Sequence, residues 1–253
     1  MSALDLSPAP GAAPAAQRVL RHALIEVRLL MRNGEQLLLA LVIPLALLVG
    51  GPFLGGRLGG LSTLAPSVLA LAIWSSAFTS VAIATGFERR YGVLERLAAT
   101  PLGKSGLLAG KALAVVTVVV GQLVVLTVVA VVLGWRPTLT PVTVLAELTL
   151  TVLAVATFTA MALLLAGRLR AEVTLGLANL VYVVLLAGGA LVVPISRYPL
   201  VLANLLPALP TSALGEGLRQ ACVGNVLGWP FLVLIIWLLV AGIAAGKSFR
   251  WTS

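Results

Sequence analysis

Residues 87–111 read FERRYGVLERLAATPLGKSGLLAGK, the longest polar interruption in a chain that is otherwise mostly hydrocarbon. Glu88, Arg89, Arg90, Glu95, Arg96, Lys104 and Lys111 are seven of its 25 acidic and basic residues. An apolar run from Pro66 to Ala84 precedes the stretch, and another from Ala112 to Leu133 follows it. Either is long enough to cross a bilayer, which takes about 20 residues at about 1.5 Å each. The stretch therefore reads as a loop between two spans, working outside the lipid. Within it Tyr91, Leu94 and Ala98 recur at helical spacing with Leu97 beside them, which predicts a short helix with one apolar side. Glu88, Arg89, Glu95 and Arg96 fall elsewhere on that cylinder, and Pro101 and Gly103 stop it. Such a helix can lie on lipid, dock in a partner's groove or act as a solvated connector.

The composition points the same way. Hydrophobic residues are 60% of the 253, charged residues 10%, and the mean hydropathy is +1.11. A soluble domain, with about 25% charged residues, is excluded. The length suits about six spans and leaves little for a soluble catalytic domain. The net charge of +9 is strung across loops rather than gathered on one face, so nucleic acid is not an expected partner. In a membrane protein, excess Lys and Arg marks the cytoplasmic side and its anionic lipids. Cys222 is the single cysteine, so no internal disulfide forms.

The fold class is all-α, a polytopic membrane protein. Residues 1–16, rich in Ala and Pro, read as a disordered cytoplasmic tail and not as a signal peptide. Residues 17–35 read as an amphipathic interfacial helix, with His22 on its polar face. Residues 36–253 read as a six-span transmembrane domain. The spans are expected near 37–53 (kinked at Pro44), 66–86, 112–134, 142–167, 173–193 and 229–246. Residues 87–111 form its cytoplasmic loop. Residues 194–228, with four prolines and few charges, predict a re-entrant segment of two short helices, near 200–206 and 211–223, at the outer edge of the bilayer.

Six crossings put the N-terminus, the 87–111 loop, the 167–172 loop and the C-terminus on one side. Those segments hold thirteen of the 17 lysines and arginines; Arg57, Arg136, Arg197 and Arg219 hold the other side. This imbalance places both termini in the cytoplasm.

No catalytic set is visible. One His, one Cys and eight scattered carboxylates make neither a metal cluster nor a nucleophile with its base. Two stretches, 98–105 and 241–248, end like phosphate-binding loops, but Ala replaces the first Gly and no strand precedes either. At membrane depth Gln122, Glu147, Asn179 and Tyr182 either line a translocation path or bond between helices, and Glu147 also has Arg136 or the outer headgroups within reach. Gly176, Gly188 and Gly189 read as close helix packing, and Cys222 as a buried thiol or a bridge between subunits.

The run Glu88-Arg89-Arg90-Tyr91-Gly92-Val93-Leu94-Glu95-Arg96-Leu97, followed by Thr100-Pro101, resembles the cytoplasmic loop of type-2 ABC exporter permeases. That family reads E-R/K-x-x-G-T-L-E-x-L-x-x-T/S-P between its second and third spans; Val93 stands here for the usual Thr. Pro210 with Glu216 and Arg219 is similar to a second family segment, in which a Pro is followed by E-x-x-R before the last span. The resemblance implies a coupling helix that meets a separate ABC ATP-binding subunit through Glu88, Arg89, Gly92, Leu94, Glu95, Leu97 and Pro101. It implies that ATP and Mg sit on that partner, with no cofactor on this chain, and that two permease copies, a homodimer or a related heterodimer, form the path. The expected function is export of a hydrophobic or amphipathic cargo such as a drug, lipid or glycolipid, from a bacterial plasma membrane. The rival is an ion-coupled secondary transporter or a membrane-embedded lipid enzyme working without an ATPase.

Overall fold

A computed structural model describes residues 11–32, 38–51 and 60–250, and every regular element among them is helical. Helix α1 spans Ala15–Arg32. A π turn, Leu38–Val42, runs into Ile43–Gly50, and the two together form α2. The long apolar helices follow: α3 (Leu61–Arg90), α5 (Gly103–Val132), α6 (Pro141–Ala166), α7 (Ala171–Gly188) and α10 (Trp229–Ser248). Between them lie α4 (Val93–Ala98), α8 (Leu200–Leu205) and α9 (Pro210–Cys222).

Five of these helices are long and apolar enough to cross a bilayer. The first expected span, 37–53, is helical over Leu38–Gly50 in its described part, about 20 Å at 1.5 Å per residue. The expected disordered tail lies mostly outside the described residues, and its last two residues, Ala15 and Ala16, already belong to α1. The two short helices expected before the last span are α8 and α9.

Helix α3 is the axis of the bundle. Its residues from Leu64 to Trp74 are buried apart from Leu69, which is half-buried, and the helix then loosens into a π turn at Ser75–Ser80. Trp74 stacks on Phe78 at 4.3 Å and meets the edge of Phe158 from α6 at 4.8 Å. This aromatic cluster is the largest block of the core, and such pairs add about 0.5–1.5 kcal/mol beyond burial. The extra residue of a π turn leaves backbone groups poorly paired, and here polar side chains gather around it. The Ser76 hydroxyl donates to Gln122 Oε1 at 2.7 Å, and Gln122 Nε2 donates to the Ala40 carbonyl at 3.2 Å. A polar seam thus joins α2, α3 and α5 inside an apolar core.

Helix α6 starts sharply. The Thr140 hydroxyl accepts from the Thr143 backbone N–H at 3.2 Å, the Thr143 hydroxyl accepts from Thr140 N–H at 2.9 Å, and Pro141 occupies the first turn. Helix α9 is wedged into the bundle with 11 of its 13 residues buried. Its Arg219 is only 5% exposed. The guanidinium donates to the Ala190 and Leu191 carbonyls at 2.8 Å each and to Ser67 Oγ at 2.9 Å, and it pairs with Glu216 at 3.1 Å. Glu216 also accepts from the Ile195 N–H at 2.7 Å. One arginine therefore ties α9 to the start of α3 and to the segment after α7.

Candidate functional site

At one end of the bundle the chain turns from α3 into α5 through residues 91–102. Gly92 takes a left-handed conformation, φ +66°, which a side chain would oppose. That turn swings α4 across the end of the bundle. Leu94 is the pin beneath it, 1% exposed. Arg96 closes the turn from outside, donating from Nε to the Gly92 carbonyl at 3.1 Å and from Nη2 to the Tyr91 carbonyl at 2.6 Å. Beyond α4 the Thr100 hydroxyl donates to Leu97 O at 2.6 Å and accepts from the Leu102 N–H at 3.3 Å. The outward edge of this unit is Tyr91, Glu95, Arg96, Ala99, Thr100 and Pro101, all exposed.

Two expectations change here. Glu88 and Arg89 are not loop residues; they end α3, because a membrane helix keeps its backbone bonds after it leaves the apolar run. Tyr91 does not share the buried face of Leu94: it is 61% exposed, since the left-handed Gly92 breaks the helical phase between them. The two α3 residues point inward. Arg89 donates to the Leu169 carbonyl of the α6–α7 turn. Glu88 Oε1 accepts from Lys111 Nζ at 2.8 Å. Arg90, at the surface, pairs with Glu172 at the start of α7.

Lys111 is 5% exposed and has a second carboxylate, Glu26 of α1, at 3.3 Å. His22 Nε2 lies 3.6 Å from the other oxygen of Glu26. Sequence reading put His22 on a solvated face; it is buried, because its ring packs against Gly110, where a Cβ would collide with it. Burial holds its imidazole below the ordinary pKa, helped by Lys111 and opposed by Glu26. A cleft lined by Arg18, Arg21, His22, Ile25, Leu97 and Pro101 separates α1 from α4.

The chain's other segments at this end are the α6–α7 turn and the C-terminal residues. They meet through the Arg250 N–H, which donates to Gly167 O at 3.1 Å. All four segments expected on one side of the membrane therefore cluster together. Residues 37–246 match the model of the family described as "ABC-2 family transporter protein". The chain belongs to that family. No curated protein matches it. With five long apolar helices among its described residues, this ABC-2 chain is a multi-pass membrane protein of the transporter class.

The polar residues at membrane depth do not converge in this ABC-2 subunit. Gln122 serves the seam at the π turn, and Tyr182 approaches Ser75 from the other side of that turn with its hydroxyl outside hydrogen-bond geometry. Glu147 accepts from the buried Cys222 thiol at 3.4 Å, and Asn179 is exposed on α7. Gly189 is tightly packed against Thr211 and its own helix, whereas a side chain at Gly176 or Gly188 would enter open space. Sequence reasoning missed the Glu26–Lys111–Glu88 cluster. Its only signal was a lysine in an apolar run and two glutamates in separate segments, which nothing local pairs.

Proposed function

We propose that this chain is the permease subunit of an ATP-driven ABC exporter, coupled to its ATP-binding subunit through α4. The observation that carries this is the exposed edge of Glu95, Arg96, Thr100 and Pro101, presented by a short helix that Leu94 and Gly92 hold rigidly across one end of the bundle. A surface that is polar, small and preorganised suits a protein partner better than lipid. Leu97 flanks that edge, while Glu88, Arg89, Gly92 and Leu94 act by holding it in place.

This end faces the cytoplasm on the reading that Lys and Arg collect there, with α1 and Arg250 beside it. A sixth crossing, by α2, fits the contacts along its path. Its predecessor α1 sits at the α4 end through Glu26–Lys111, Ala40 meets Gln122 midway, and Gly51 touches Leu64 near the far start of α3. Helices α8 and α9 then re-enter from the outer face, since Trp237, well inside α10, donates to Ala208 O at 2.8 Å. Pro210, Glu216 and Arg219 fix that segment.

The cargo is hydrophobic or amphipathic. An apolar cleft of about 770 Å³ opens between α5 and α6, walled by Val116, Val120, Val124, Val152, Ala156 and Leu163. Two copies, identical or related, complete the path. The test is purification of the intact chain from membranes with Glu95→Arg/Pro101→Ala beside the wild type. The wild type is expected to bring down a protein that hydrolyses ATP, and the variant to lose it while remaining monodisperse. Equal recovery from both removes α4 as the docking site.

A further inference from the structure

Helix α1 and α4 are separated along the chain by α2 and all of α3, yet one side chain joins their supports. Lys111 lies in the third turn of α5, just after α4, and Glu88 in the last turn of α3, just before it. Their 2.8 Å contact braces the two roots of the turn that carries α4. Glu26 then attaches α1 to the same ammonium at 3.3 Å, and the Gly110 surface lets α1 approach closely enough to do so. Buried ion pairs stabilise little relative to apolar replacements, but they define a single arrangement and penalise every other. Beside the cluster a largely apolar cavity of about 40 Å³ reaches from Glu26 and Lys111 to Ser76, Ser80 and Gln122. It has room for a water or so and ends at the seam that holds Ala40 of α2.

We propose that Lys111 is a positioning residue of energy coupling: through Glu88 and Glu26 it delivers displacement of the α4 turn to α1 and so to α2. This rests on the reading of α4 as the docking site for an ATP-binding subunit. Partner binding and motion transfer are then separable, because Lys111 is buried and the docking edge is not.

The experiment uses the full chain in lipid nanodiscs with the ATP-binding subunit that co-purifies with it. Lys111→Met is compared with the triple reversal Glu26→Lys/Glu88→Lys/Lys111→Glu, which restores attraction with opposite signs. Lys111→Met is expected to retain its partner and its KM for ATP, and to lose about fivefold or more in kcat of stimulated hydrolysis. The triple reversal is expected to recover most of that kcat. A smaller loss in Lys111→Met, or a monodisperse reversal as slow as Lys111→Met, overturns the proposal. Where Lys111→Met does not fold, the reversal decides alone: near-wild-type kcat supports the link, and a kcat about fivefold or more below wild type overturns it. A wild-type chain that stimulates no ATPase overturns instead the reading on which the proposal rests.

Discussion

Leu94 and Glu95 are neighbours with opposite duties, and their substitutions should separate cleanly. Leu94→Ala opens a cavity under α4 and is expected to cost about 2–4 kcal/mol, read as a lower thermal midpoint in detergent. Glu95→Arg leaves the buried side untouched, so its stability should stay within about 0.5 kcal/mol of wild type while partner recovery falls. His22 supplies a pH dependence of known sign. Its imidazole is held neutral in the fold, so the unfolded chain takes up a proton first as pH falls through about 6.5. Stability is therefore full above that value and declines below it. Glu26 and Lys111 face the ring, and His22→Gln should flatten this part of a stability–pH curve.

At the scale of elements, α9 depends on Arg219 more than on its own helical propensity. Arg219→Leu leaves two carbonyls and the Ser67 hydroxyl without that donor and Glu216 with only the Ile195 N–H, and the expected loss is about 3–5 kcal/mol. Arg219→Leu combined with Glu216→Gln should recover part of it, as a shift in thermal midpoint shows. The i, i+3 pair Glu216 and Arg219 was legible in the sequence, whereas the carbonyls it serves, at Ala190 and Leu191, follow from how α7 ends. The long helices were legible for a similar reason. Apolar runs of span length favour long helices, so each span expected after the first falls on one of the five long apolar helices. Their ends were not legible, since α3 continues past its apolar run to Arg90 and α5 begins at Gly103, where Glu88, Arg89 and Lys111 find protein partners and the backbone bonds persist. The π turn was not read from the sequence, because the shift to i→i+5 backbone bonding over Ser75–Ser80 has no residue signature of its own.

For the whole molecule, one geometry carries a topological prediction. α1, α4, the α6–α7 turn and the C-terminal residues share one end, an arrangement the distribution of Lys and Arg anticipated without any contact information. What that distribution could not reveal was the cross-bracing by Lys111, Arg89 and Arg90, since pairing across long sequence separations has no local signature. Trypsin should cut after Arg96 or Lys104 in inside-out vesicles and spare both in right-side-out ones. Cleavage from the outer face would invert the molecule and detach α4 from any nucleotide-driven partner.

The bond between Cys222 and Glu147 has a practical corollary. The thiol, at the end of α9, packs into a cluster with Leu48, Leu64, Leu126 and Trp135, and burial together with the adjacent carboxylate pushes its pKa far up, so it carries almost no thiolate at neutral pH. The native sulfur should therefore remain inert to alkylating reagents and mild oxidants while the fold is intact. Its sudden reactivity would be a built-in alarm that α9 has left its seat.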